Sequence, residues 1–178
     1  MIWDLFPTLI FLGVLVFLIT WLNAHNSHEY TGKVWVIDGD TIVMDGEKLR
    51  LQGIDAPELS QQCFKRDQRW ACGRASKQAL MDMLQGAAVN CSTSGIDRYD
   101  RWLAECFVNG RSINAQMVSS GWAVDYGGYG KEERKAREAK HGVWQGTFES
   151  PQEWRRANRG DFSQPSKAAK RWWHIFSK

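Results

Sequence analysis

The sequence predicts an α+β domain in which five short strands curl into a small barrel carrying about three helices, preceded by one N-terminal transmembrane helix. Three observations carry this expectation. Residues 5–22 form an 18-residue run without a charge. From Tyr30 onward, short β-type runs alternate with turn signals. Between and after them, apolar residues recur at helical spacing in segments closed by glycine. A length of 178 residues gives room for one ordinary domain and too little for two.

Taken in order, residues 1–24 read as a membrane anchor. At 1.5 Å per residue the uncharged run spans roughly 27 Å, close to the hydrocarbon thickness of a bilayer. Trp3 and Trp21 fall where interfacial aromatics belong. The start Met1-Ile2-Trp3-Asp4 has no basic region, and the exit Trp21-Leu22-Asn23-Ala24 offers no small-x-small cleavage site, so an uncleaved anchor is expected rather than a signal peptide. Residues 25–29 read as a polar linker.

The domain proper is expected over residues 30–150. Lys33–Ile37, Thr41–Met44 and Lys48–Ile54 form a three-stranded meander, with turns at Asp38-Gly39-Asp40 and a two-residue Asp45-Gly46 hairpin. Residues 73–86 carry Ala75, Ala79, Leu80, Met83 and Leu84 at helical spacing. Ala88–Cys91 and Trp102–Val108 supply two further strands. Ser112 is an N-cap for a short helix ending at Gly121, and Lys131–His141 is a charged helix stopped by Gly142. Five strands with these helices suit an OB-fold barrel or an open α+β sheet. Trp35, Trp102, Trp122 and Trp144 are expected in the core.

Charge is segregated. The formal net charge is +3, and all of the positive excess lies in residues 151–178, a basic, aromatic tail with 7 basic and 2 acidic residues; residues 29–150 hold 16 basic and 17 acidic. The domain is therefore not the uniformly basic surface of a nonspecific duplex binder, and any grip on nucleic acid is local. The tail segment Lys167–Lys178 interleaves basic and aromatic side chains, a pattern suited to an anionic surface, although a solvated terminus is the commoner outcome.

The meander places acids together. In an antiparallel meander the first turn and the end of the third strand lie at the same end of the sheet, so Asp38 and Asp40 approach Asp55 and Glu58. Asp40 and Asp55 are hard oxygen donors of the kind calcium prefers. Arg50 and the segment Arg98-Tyr99-Asp100-Arg101 add planar cations suited to phosphate oxygens. Tyr99 and Tyr126 are candidates for stacking on unpaired bases.

Val36-Ile37-Asp38-Gly39-Asp40-Thr41, then Leu49-Arg50-Leu51 with Ile54-Asp55-Ala56-Pro57-Glu58, then Asp97-Arg98-Tyr99-Asp100-Arg101-Trp102-Leu103-Ala104, resembles the staphylococcal-nuclease-like (thermonuclease) family. The resemblance covers residues 30–146. It implies an OB-fold, calcium-dependent nuclease that hydrolyses phosphodiesters of DNA and RNA, with unpaired strands preferred. Carried over, Asp40 and Asp55 become Ca2+ ligands with the Ala56 backbone carbonyl as a third. Glu58 becomes the general base, and Arg50 and Arg101 bind the scissile phosphate. Ala56 replaces a threonine common in the best-known member, which leaves a carbonyl ligand unaffected. Asp38 and Asp97 are left outside the primary set.

That best-known member lacks cysteine, whereas this chain has four, with no metal-site spacing. Pairing Cys63–Cys72 and Cys91–Cys106 is the simplest of the three connectivities. Two disulfides would put the domain on the periplasmic or extracellular side of the membrane. The first Lys or Arg after the apolar run is Lys33, which by the positive-inside rule leans weakly the other way. A noncatalytic nucleic-acid-binding module on the same fold is the alternative function; such a module would have no need of Glu58 or the arginines, and both are present.

Overall fold

A single residue joins the two edges of the main sheet. In the computed structural model, which describes residues 5–25 and 28–158, strands β1 (Glu29–Gly32) and β2 (Val34–Val36) follow one another across Lys33. The sheet between them runs β1, β8 (Val89–Ile96), β9 (Trp102–Val108), β4 (Glu47–Leu51), β3 (Thr41–Met44), β2, with β10 (Arg111–Ser112) paired to β9. Because its first and last strands are neighbours in the chain, the sheet has to curl on itself, and the result is a nearly closed barrel. Gly32 sits at the junction with φ +142, a backbone state that suits glycine.

The meander forms, but its third strand ends at Leu51, and Ile54, expected in that strand, pairs in a separate sheet. β2, β3 (Thr41–Met44) and β4 (Glu47–Leu51) pair antiparallel, and Asp45 and Gly46 both take positive φ (51° and 86°) in the hairpin turn. β4 then pairs parallel with β9 (Trp102–Val108), which pairs antiparallel with β8 (Val89–Ile96). Inside lie Ile42, Leu49, Leu51, Leu80 and Met117, all 0% exposed. Helix α2 (Cys72–Leu84) covers the barrel with Cys72, Ser76, Leu80 and Leu84 buried at four-residue spacing. Helix α3 (Ile113–Ser119) starts where the Ser112 hydroxyl accepts from the Ala115 N–H at 3.2 Å. Buried Asn114 ties it to the sheet: its Oδ1 accepts from the Cys106 N–H, and its Nδ2 donates to the Ala104 and Gln52 carbonyls.

Several elements differ from the sequence expectation. Glu29, assigned to the linker, begins β1; only Tyr30 of this strand is even partly buried, so no apolar alternation marks it. The segment between Cys63 and Cys72 holds a hairpin of β6 (Cys63–Lys65) and β7 (Gln68–Trp70). Short β5 (Ile54–Asp55) pairs with β11 (Val124–Asp125). The charged helix α4 spans Gly130–Glu138 and a 3-10 turn follows at Gly142–Gln145. Pro151–Ala157, assigned to the tail, forms helix α5 with a capping box between Ser150 and Glu153. Trp35 points outward at 73% exposure, since strand alternation on β2 gives the inward position to Val36. Trp102 and Trp122 pack on the main core, and Trp144 on a second cluster around Cys63, Cys72 and Val143. The disulfides are Cys63–Cys72 and Cys91–Cys106.

The expected membrane span falls on helix α1 (Leu5–His25). Its described side chains, residues 8–20, are largely apolar and all exposed. Among the described residues no helix is long and apolar enough to cross a membrane. Trp3 and the basic segment Lys167–Lys178 lie outside the described residues.

Candidate active site

The acidic turn after β2 and the end of β4 meet because Thr41 and Arg50 are directly paired across the β3–β4 hairpin. Asp40, one residue before that pair, is 5% exposed; Asp55, at the end of β5, is 1% exposed. Arg50 lies between them. Its Nη1 donates to Asp40 Oδ1, and its Nη2 to Asp55 Oδ1 at 3.0 Å and to the Ile54 carbonyl at 3.3 Å. Asp40 also accepts from the Thr41 hydroxyl and the Ala56 N–H, each at 3.0 Å. The two carboxylates thus share one guanidinium, as the meander argument requires.

Burial pushes the Asp40 carboxyl up to about 7, against the pull of Arg50, with the nearby charges of Asp38 and Asp55 adding to the rise and the Ala56 N–H opposing it. Burial works against the Arg50 charge too, yet Asp40 and Asp55 hold its pKa above the ordinary value.

Glu58 is positioned by its own turn. Its N–H donates to Gln61 Oε1 at 3.1 Å, and its carbonyl accepts from the Gln61 N–H at 2.7 Å. Gln61 is itself 0% exposed and donates from Nε2 to the Glu149 carbonyl at 2.7 Å. Behind this turn, α2 approaches so closely that a Cβ at Gly73 would collide with the Glu58 carbonyl. The Cys63–Cys72 bridge ties the chain two residues after Gln61 to the start of α2.

Arg101 is fixed by a second turn. Asp97 Oδ1 accepts from the Tyr99 and Arg101 N–H groups, while Oδ2 accepts from Arg101 Nε at 2.9 Å and Nη2 at 2.7 Å. Arg101 Nη1 donates to the Thr41 hydroxyl at 3.2 Å, which links this turn to the residue beside Asp40. Partial burial raises the Asp97 carboxyl, and the donors from Arg101 and Tyr99 outweigh it, leaving the pKa below the ordinary value.

Asp40, Arg50, Ala56, Glu58, Arg101, Tyr99 and Tyr126 all line one cleft of 960 Å³, while Asp55, 1% exposed, is bonded to Arg50 without lining the cleft itself. Tyr99 and Tyr126 are 63% and 62% exposed, so neither is a core residue. Tyr99 lies under two guanidiniums, 4.8 Å from Arg98 and 5.5 Å from Arg101.

Residues 48–146 match the family of staphylococcal nuclease homologues. The chain belongs to that family. It is 32% identical over 160 residues to an uncharacterised endonuclease of Haemophilus influenzae, across 83% of this chain and 85% of the relative. It is 34% identical over 140 residues to the succinoglycan biosynthesis protein ExoI of Rhizobium meliloti, across 74% and 73%. The probable staphylococcal-like nuclease CAN3 of Oryza sativa is 30% identical over 134 residues, of which the match spans 71% of this chain but 33% of the relative.

Two residues of this nuclease site were not singled out by sequence reasoning. Gln61, which holds the Glu58 turn, carries no local signal, because its role depends on a carbonyl far along the chain. Arg155 on α5 also lies in the cleft wall. Its Nη1 donates to Asp55 Oδ1 at 3.0 Å and Glu58 Oε1 at 2.8 Å, and its Nη2 to Asp55 Oδ2 at 2.9 Å. Burial works against its charge, and the bonds to Asp55 and Glu58 prevail, so its pKa is raised. The Ser150-Pro151-x-Glu153 start of α5 was the available signal for the helix, though not for where Arg155 points.

Proposed function

We propose that this chain, a phosphodiester-hydrolysing nuclease by its family, is calcium-dependent and cleaves DNA and RNA with a preference for single strands. The observation that carries the reading is the convergence of Asp40, Glu58, Arg50 and Arg101 at one cleft, with buried Asp55 held against Arg50. Among the described residues there is no cluster of three or more His, Cys, Asp or Glu side chains arranged as a metal site. The donor set is instead two buried carboxylates, brought together on one guanidinium, plus a backbone carbonyl. Those are hard oxygens, which fit calcium and not a soft metal. Asp40, Asp55 and the Ala56 carbonyl would hold the ion, which supplies charge neutralisation at a phosphate oxygen.

The protein's own groups do the rest. Glu58 stands at the cleft with a carboxylate oxygen able to take a proton from an attacking water. Arg50 uses three hydrogen bonds on the protein out of the five N–H donors a guanidinium carries, which leaves donors for phosphate oxygens. Arg101, locked by Asp97, presents a preorganised cation where negative charge grows. Exposed Tyr126 offers a flat face to an unpaired base, and Tyr99, stacked with Arg98 and Arg101, adds an aromatic and cationic surface beside it, which favours single strands.

The uncharged run 5–22 supports a membrane tether, and the two disulfides support a periplasmic or extracellular domain. Sedimentation with membranes after alkaline washing tests the tether. Digestion of single-stranded DNA, duplex DNA and RNA, each with calcium and with chelator, tests the reaction; chelator-insensitive cleavage, or none on any substrate, would refute it.

A further inference from the structure

Arg155 takes up three oxygen atoms on two carboxylates, and both belong to the chemistry proposed above. We infer that Arg155 is the resident cation of this acidic site and competes with the divalent metal for Asp55 while covering Glu58. The inference rests on the calcium reading.

Asp55 is 1% exposed and has few directions from which a cation can reach it. Arg50 occupies one side of Oδ1, and Arg155 takes Oδ1 and Oδ2 together in a fork. A carboxylate offers about four lone-pair positions, so three of those on Asp55 are in use. A divalent cation on Asp55 would lie within a few ångströms of the Arg155 guanidinium, and like charges at that separation repel strongly in a part-buried site. The same guanidinium sits on Glu58 Oε1, an oxygen that would receive the proton. Metal ligation and release of the base are thereby coupled to one side-chain movement.

The backbone is built to let that movement occur without loss of α5. The helix is held by its Ser150–Glu153 capping box, by buried Pro151 and by the Gln61 bond to the Glu149 carbonyl. The Arg155 side chain is 37% exposed, more than twice the 16% of Arg50. Arg155 can turn out towards the solvent side of the cleft while its helix stays docked; Arg50 cannot.

The test is calorimetric titration of calcium into the full chain in detergent, comparing wild type with Arg155→Gln and Arg155→Lys, alongside thermal melts. Arg155→Gln is expected to bind calcium more tightly, within the roughly 5–150-fold range of ordinary site coupling. Arg155→Lys, a point charge that cannot fork across two carboxylates, should fall between the two. Equal or weaker calcium binding by a folded Arg155→Gln overturns the competition and leaves the calcium reading standing. Calcium binding by neither protein overturns both. If Arg155→Gln does not fold, Arg155→Lys decides: a gain in affinity supports the competition and an unchanged affinity overturns it.

Discussion

Arg50 donates to Asp40 from the strand paired beside it, and the same guanidinium reaches Asp55 at 3.0 Å. The side chains are 16%, 7% and 2% exposed, so this is one largely buried unit and not a surface ion pair. Breaking a buried pair from one side strands the remaining charge, at a cost of about 3–5 kcal/mol. Arg50→Gln is therefore expected to lose stability of that order in urea unfolding, in addition to losing cleavage. A loss below about 1 kcal/mol would place Arg50 outside the structural core of the site.

The closeness of α2 to the Glu58 turn gives a second expectation. Gly73→Ala drives a methyl group into the Glu58 carbonyl, a backbone atom that cannot rotate away. Either the helix or the turn must shift. Cleavage should fall by about tenfold or more through misplacement of Glu58, with a lowered thermal midpoint; unchanged kcat and midpoint would contradict the packing.

Asp40 sets a pH dependence. Its pKa in the folded chain is raised from the ordinary 3.8 to about 7, burial being the main cause. Between those values the folded state keeps a proton that the unfolded chain releases, so Asp40 makes folding more favourable at low pH and that contribution is lost as pH rises through about 7. Thermal melts in chelator should show wild type losing midpoint relative to Asp40→Asn between pH 4 and 7, roughly the interval of the shift. A constant difference would refute it.

The disulfides bear on stability through the chain they close. Cys91 and Cys106 are cross-strand neighbours on β8 and β9, 15 residues apart and buried. Replacing both with alanine should cost about 3 kcal/mol in denaturant unfolding, by loss of loop closure. The Cys63–Cys72 bridge, nearer Glu58, should affect activity as well when it alone is removed.

The meander, the Asp45-Gly46 turn, the Ser112 cap and the convergence of Asp40 with Asp55 were legible because each depends on local chemistry or on strand pairing with a period of two. Glu29–Gly32 was hidden, since all of it but part-buried Tyr30 is exposed and no apolar alternation is left to read. Gln61 and Arg155 act through partners at separations of 88 and 97 residues or more, fixed only once α5 docks. Trp35 shows the converse: bulk and hydrophobicity suggested burial, and the strand's alternation turned it outward.

Glu58 is the group proposed to take the proton in a calcium-requiring cleavage. Single-stranded DNA digested by the wild type and by Glu58→Gln, with calcium and with chelator, tests it most directly. Wild type should cut only with calcium, and Glu58→Gln should be slower by roughly 10²–10⁴-fold while melting normally. A folded Glu58→Gln that cuts at the wild-type rate would contradict the assignment, and a wild type that binds the strand without cutting it would make the cleft a phosphate grip without a reaction.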